Sequence, residues 1–283
     1  MEIPFSIDLK DKVCVITGGA GVLCSHFAKA LAACGAKVAV LDMREENAGK
    51  VADEINRDGG IAISVGTNVL DKASLNAARH RINKELGKCD ILINGAGGNH
   101  PKGTTSKEYL EKDDVLDKSI ISFFDLETEG VQFVFNLNFI GTLLPTQVFA
   151  KDMMEKDGGI IINISSMNAF TPLTKIPAYS SAKAAVSNFT QWLAVHMSKV
   201  NIRVNAIAPG FFMTEQNRSL LLNEDGSYTP RAYKIISQTP MERFGEPTEL
   251  IGTLLWLADE KASGFVNGAV IPVDGGFAAY SGV

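Results

Sequence analysis

Short apolar runs alternate along the chain with longer segments whose apolar positions recur at helical spacing. The runs are residues 12–17 (KVCVIT), 37–41 (KVAVL), 61–65 (IAISV), 90–93 (DILI), 159–164 (GIIINI), 202–207 (IRVNAI) and 269–273 (AVIPV). A short, nearly uninterrupted apolar run predicts a strand covered on both faces. Between the runs, helices are predicted over 22–31, 45–57, 131–154, 179–198 and 246–258, and one that begins after the N-cap Asp71 and runs through Leu86. Pro247 falls in the first turn of its helix, where its fixed φ and missing N–H are tolerated. Strands alternating with helices from end to end predict an α/β fold with a doubly wound parallel sheet of about seven strands. In such sheets ligands bind beyond the carboxyl ends of the strands.

Two stretches break the alternation. Residues 98–132 begin with the turn-rich Asn99-His100-Pro101-Lys102-Gly103, continue through a strongly charged segment at 108–118 and pass an apolar one at 120–126. They predict an insertion with a short helix, folded over the rim of the site. Residues 211–244 have no strand pattern and predict a mobile helical lid, containing Thr214, Glu215, Gln216 and Arg218. No linker or composition shift divides the chain, so 1–283 is expected to form one domain. Its length and 46% hydrophobic content suffice for a large core.

Composition narrows the partners. The formal charge is −5 and no basic block stands out, which argues against a nucleic-acid partner. Cys14, Cys24, Cys34 and Cys89 form no CxxC pair and the four histidines lack metal-ligand spacing, so no metal site and a reduced, cytoplasmic setting are expected. The first twelve residues lack a basic region followed by an apolar core, so no signal peptide is expected. No apolar run approaches the roughly 18 residues a membrane span requires.

The candidate chemistry gathers at strand ends. Run 12–17 passes into Gly18-Gly19-Ala20-Gly21 and then into a helix, the context in which backbone N–H groups bind a phosphate. Run 37–41 ends at Asp42, placed to accept from an adenosine ribose diol and to repel a 2′-phosphate, which favours NAD over NADP. Asn68 follows the third run and can both donate to and accept from an adenine edge. Asn94-Gly95-Ala96-Gly97-Gly98 follows the fourth, with small residues that let a flat cofactor approach. Ser166 follows the fifth. Tyr179 comes thirteen residues later, and Lys183 four after that, on the same helix face. An ammonium beside a phenol is expected to lower a pKa that is otherwise about 10.

Taken together, Thr17-Gly18-Gly19, Asp42, Asn94-Gly95-Ala96-Gly97, Asn138, Ser166, Tyr179, Lys183, Pro209-Gly210, Thr214 and Asp274-Gly275-Gly276 resemble the short-chain dehydrogenases/reductases over essentially the whole length. The resemblance implies a Rossmann-type fold. It implies Tyr179 as general acid/base, Ser166 orienting the substrate oxygen, Lys183 holding the nicotinamide ribose and lowering the tyrosine pKa, and Asn138 anchoring a relay water. It places NAD contacts at Gly18, Gly21, Val22, Leu23, Asp42, Met43, Asn68, Val69, Asn94, Ala96, Gly97, Tyr179, Lys183, Pro209, Gly210, Phe212 and Thr214. Three positions depart from the family pattern: Val22 and Cys24 stand where it usually has glycines, and Asn68 where it often has Asp. More narrowly, GAGVLC, GAGGNHP, NEDGSYTPRAYKI, TPMERFGEP and the tail GGFAAYSGV resemble the D-mannonate oxidoreductase (fructuronate reductase) branch. A sugar-acid substrate then needs a clamp for its carboxylate, with Asn99, His100, Lys102, Asn168, Lys175 and Arg218 as candidates. A gluconate 5-dehydrogenase-like enzyme, another polyol or 3-oxoacyl reductase, and a nucleotide-binding sensor or scaffold without turnover stay open. The apolar segment 133–149 and the family resemblance favour a homotetramer, with a dimer as the alternative.

Overall fold

The computed structural model describes residues 7–214 and 217–282. Glu215 and Gln216 of the expected lid, and the first half of the segment read for a signal peptide, lie outside them. The strands are β1 (Val13–Thr17), β2 (Lys37–Asp42), β3 (Ile61–Gly66), β4 (Ile91–Asn94), β5 (Gly159–Ile164), β6 (Ile202–Pro209) and β7 (Val270–Val273). They pair in parallel in the order β3-β2-β1-β4-β5-β6-β7, so the sheet reverses direction of growth between β1 and β4. The main helices are α1 (Val22–Ala33), α2 (Glu45–Arg57), α3 (Lys72–Glu85), α4 (Thr128–Phe135), α5 (Gly141–Glu155), α6 (Pro177–His196), α7 (Arg218–Leu221), α8 (Pro230–Ser237) and α9 (Ile251–Ala258).

The strands read as continuous apolar runs because helices cover both faces of the sheet. Cys14 and Ile16 enter one core with Phe27 and Leu31 of α1 and Leu254 of α9. Val13 and Val15 enter the other, with Leu75 and Ile82 of α3 and Phe149 and Met153 of α5. Asp71 caps α3 as expected, accepting from Ala73 N at 2.8 Å. Strand register sets the ends level: Thr17 lies opposite Leu41 and Asn94, Asp42 opposite Gly66, and Pro209 opposite Val273. That common edge carries the Gly18 turn, Asp42, the Asn94 turn and Ser166.

Four expectations change. The helix foreseen over 131–154 begins at Thr128 and contains a π-helical segment, Asn136–Ile140, between α4 and α5. Pro145 removes an intrahelical donor one turn further on. By length and composition the continuous helix Thr128–Glu155 is apolar enough to cross a membrane, which the short apolar runs did not reveal. Half of its most apolar stretch is buried inside the fold, and it serves as a core helix. The insertion forms three 3-10 turns, Pro101–Gly103, Lys112–Leu116 and Phe123–Asp125, instead of a short α-helix before α4. Reciprocal side-chain caps, Glu111 with Asp114 and Ser122 with Asp125, close two of these turns locally. The helix predicted over 246–258 starts as a 3-10 turn at Pro247–Leu250 before α9.

Candidate active site

Ser166 leaves β5 in an extended conformation and N-caps a single 3-10 turn, its Oγ accepting from Asn168 N at 3.2 Å. Pro177 begins α6, which places Tyr179 in the first turn and Lys183 one turn later. Lys183 is 4% exposed, donates to the Ile164 carbonyl at 2.8 Å, and holds Nζ 5.6 Å from the centre of the Tyr179 ring. The loop–helix junction therefore brings together the three residues that the sequence spacing singled out.

The electrostatics differ from expectation. Burial pushes the Tyr179 phenol above its ordinary value, and the Ser166 hydroxyl beside it only partly offsets this. Lys183 beside it is buried as well. Its own ammonium is pushed down to about 8 by burial. Desolvation disfavours the charged form of either group, so both drift toward neutrality.

A second serine, which the sequence reading passed over, locks this junction: Ser165 Oγ lies 2.7 Å from Ser187 Oγ and donates to the Lys183 carbonyl at 3.2 Å. Its only signal was the Ser-Ser pair closing β5. Asn138, in the π-helical segment, donates to Gly98 O and Val134 O at 2.7 Å each and accepts from Gly98 N at 3.2 Å. Its Oδ1 and Lys183 Nζ converge on Gly97, where an added Cβ would lie 2.7 Å and 3.1 Å from them.

The residues expected to face a nucleotide form a tight cradle. Gly18 adopts φ +60°, and a Cβ there would meet the Ala96 backbone at 2.9 Å. Thr17, fully buried and not foreseen as a site residue, accepts from Gly95 N at 3.1 Å and Ala96 N at 3.3 Å, tying the β1 turn to the β4 turn. Gly21 begins α1 without a side-chain cap, leaving the first-turn N–H groups at Val22 and Leu23 for an anion. Asp42 accepts from Arg44 N at 3.2 Å through one oxygen; the other takes no donor among the described residues. Met43 beside it is exposed and Val69 buried, while Asn68 Oδ1 accepts from Leu70 N at 2.9 Å. These features fit a dinucleotide: small residues where it approaches, uncapped amides for phosphate and a free carboxylate oxygen at the second strand end.

Other predicted contacts serve the frame. The Asn94 side chain is buried, donating to Thr146 Oγ1 and Asn163 Oδ1 at 2.9 and 2.8 Å. Gly210 follows Pro209, and a Cβ on it would lie 2.5 Å from Asp274 Cα. Asp274 in turn accepts from Gly276 N and Ala278 N, at 2.9 and 2.8 Å. Phe212 is buried and bridges to Gly245, and Thr214 is clasped by Asn217, which also donates to Phe212 O.

Cys24, the departure from the glycine pattern, has a physical counterpart. Its sulfur fills the space that a side chain on Gly95 would use. Burial pushes the thiol up to about 12, so it is protonated packing and not a nucleophile. Gly95→Ala is expected to destabilise the protein by about 1–3 kcal/mol through overpacking. Because the Thr17 carbonyl also crowds this point at 2.9 Å, adding Cys24→Gly should recover only part of the loss in a urea titration. Full tolerance of the single change would contradict the packing described.

The six candidates for a substrate clamp separate. Lys102 is paired with Glu127 at 2.6 Å, and Asn99 donates to Thr104 Oγ1 at 3.0 Å. His100 accepts from Lys102 N and packs on Phe133. Lys175 and Arg218 are exposed and have no ion-pair partner among the described residues. Asn168 is buried with its side-chain oxygen unpartnered. Lys234 of α8 pairs with Glu108 of the insertion, so lid and insertion meet. The C-terminal tail, missed as a site element, reaches the same side: Phe277 packs edge-on against Phe211, and Thr171 donates to Ala278 O at 3.5 Å.

The family model described as short chain dehydrogenase matches residues 12–225. An uncharacterized oxidoreductase of Haemophilus influenzae is 59% identical over 283 residues, covering 100% of this chain and 99% of its own. A crystal structure of a candidate D-mannonate oxidoreductase from Haemophilus influenzae with bound NAD superposes with a TM-score of 0.93 at 60% identity, covering 98% of each chain. The 5-keto-D-gluconate 5-reductase of Escherichia coli is 32% identical over 268 residues, 95% of this chain and 96% of its own.

Proposed function

The chain belongs to the short-chain dehydrogenase family, and from that premise we propose that it is an NAD-dependent oxidoreductase acting on a secondary alcohol or ketone of a sugar acid, D-mannonate and D-fructuronate first among them. The observation that carries the reaction is the convergence of Ser166, Tyr179 and Lys183 at the carboxyl edge of the sheet, beside the glycine cradle. The substrate class is supported by 60% identity to the NAD-bound candidate D-mannonate oxidoreductase, and by the exposed cations Lys175 and Arg218 beside the insertion and lid, which have no ion-pair partner among the described residues. The 32% likeness to 5-keto-D-gluconate 5-reductase supports a gluconate 5-dehydrogenase-like substrate as the second reading.

The cradle from Gly18 to Leu23, with Asp42, Asn68, Ala96, Gly97 and the segment 209–214, holds the dinucleotide. When bound, it supplies or accepts the hydride. Tyr179 moves the proton: it donates to the oxygen of the ketone during reduction and takes the hydroxyl proton during oxidation. Ser166 holds that oxygen. Lys183 holds the nicotinamide ribose and the proton path, and Asn138, which converges with it on Gly97, anchors its water. Lys175 and Arg218 are assigned to the carboxylate. The protein is proposed to work as a homotetramer in the cytoplasm, where four free thiols are stable.

A screen of mannonate, gluconate, other polyols, and acyl and steroid ketones, followed by NADH absorbance, tests this. Turnover confined to polyhydroxy acids is the expected result; NADH binding without turnover of any of them would restore the sensor or scaffold reading.

A further inference from the structure

Within the sugar-acid reading, on which this rests, we infer that Asn168 is a specificity-determining residue whose side-chain amide accepts a hydrogen bond from the substrate hydroxyl adjacent to the reacting carbon. Asn168 is 5% exposed and stands two residues beyond Ser166. Its own N–H donates to Ser166 Oγ at 3.2 Å, so one turn fixes both residues. Neighbouring donors of this loop are engaged: Ala169 N on the Ser166 carbonyl, Phe170 N and Thr171 N on the Met167 carbonyl, and Thr171 Oγ1 on Ala278 O. The Asn168 side-chain Oδ1 is buried and takes no donor among the described residues, a condition it shares with Asn83 Oδ1, Asn94 Oδ1 and Ser180 Oγ; of these it alone lies in the turn that carries Ser166.

Buried polar atoms in native proteins are paired, and one left open beside a catalytic residue marks where a ligand supplies the missing group. Here the missing group is a donor. A carboxylate has none to offer, which separates this contact from the acid clamp of Lys175 and Arg218. The substrate oxygen handled by Tyr179 lies against Ser166. A hydroxyl on the next carbon of a polyhydroxy acid is then the nearest donor for a residue tied into the same turn. A site built to bond a substrate hydroxyl discriminates strongly against the analogue lacking it, because its own polar group is left open again.

The test compares the unaltered enzyme and Asn168→Ala on two substrates: the sugar acid it turns over best, and the analogue deoxygenated at the carbon next to the reacting one. The unaltered enzyme is expected to prefer the hydroxylated substrate by at least about tenfold in kcat/KM. Asn168→Ala should lose most of that preference, with the loss falling on the hydroxylated substrate. NADH binding, followed by fluorescence titration, should stay unchanged and so report an intact fold. Equal losses on both substrates, or no loss, would overturn the role of Asn168 and leave the sugar-acid reading standing. An unaltered enzyme that turns over no polyhydroxy acid would overturn both.

Discussion

Tyr179→Phe is expected to lower kcat by at least about a hundredfold, and by as much as about ten-thousandfold, with little change in NADH affinity. The range is that of positioned general acid–base catalysis. The substitution removes one oxygen and leaves the ring in its place against Ala178, Ala182 and Val134, so the loss reports the proton and not the packing. Direction matters for its pH dependence. Burial raises the phenol pKa in the unliganded protein, and Lys183 is lowered to about 8. Oxidation of the alcohol needs the phenolate, so its rate should climb with pH across the neutral and alkaline range. Reduction needs the phenol, so its rate should stay level and fall only when pH passes the phenol pKa. Tyr179→Phe should abolish the climb. Turnover surviving within a few-fold would remove Tyr179 from the mechanism.

Asp42→Ala is expected to erase most of the preference for NAD over NADP, seen as the ratio of kcat/KM for the two cofactors. Asp42 ends β2 with one oxygen on Arg44 N and the other open. That open oxygen suits a ribose hydroxyl and repels a phosphate. A carboxylate facing a phosphate dianion at close range carries like charge and no donor, so removing it should improve NADP use while weakening NAD. Equal use of both cofactors by the unaltered protein would contradict this role for Asp42.

The parts of the fold that were legible are those where burial and backbone geometry coincide. Strands such as 159–164 lie between two helical layers, so their sequence is apolar apart from the hydrogen-bonded Asn163 and their bounds are sharp. Asp71 was legible because an N-cap is a local bond between neighbours. The Ser166, Tyr179 and Lys183 set was legible because a helix fixes the spacing of two members. What was not legible depends on contacts distant in sequence. The tilt of the Tyr179 pKa comes from burial by α4 and the rest of α6, which spacing does not encode. Cys24 looked like a lapse in the glycine pattern until its sulfur was found in the space over Gly95, 71 positions away. Thr17 stood in the family pattern, but its role as a tie was hidden because its bonds reach the β4 turn. The insertion resisted because its turns are closed by local caps, Glu111 with Asp114 and Ser122 with Asp125, and not by a repeating pattern. Among the candidate clamps, sequence could not tell that Lys102 is paired with Glu127 while Lys175 and Arg218 have no ion-pair partner among the described residues.

The central claim is hydride transfer between NAD and a sugar acid at Tyr179, and the most direct test is the NADH absorbance of the purified protein mixed with NAD and D-mannonate. The account predicts NADH formation that is reversed by D-fructuronate and lost in Tyr179→Phe. Absence of any change with D-mannonate, D-fructuronate or gluconate, while NAD still binds, would contradict it.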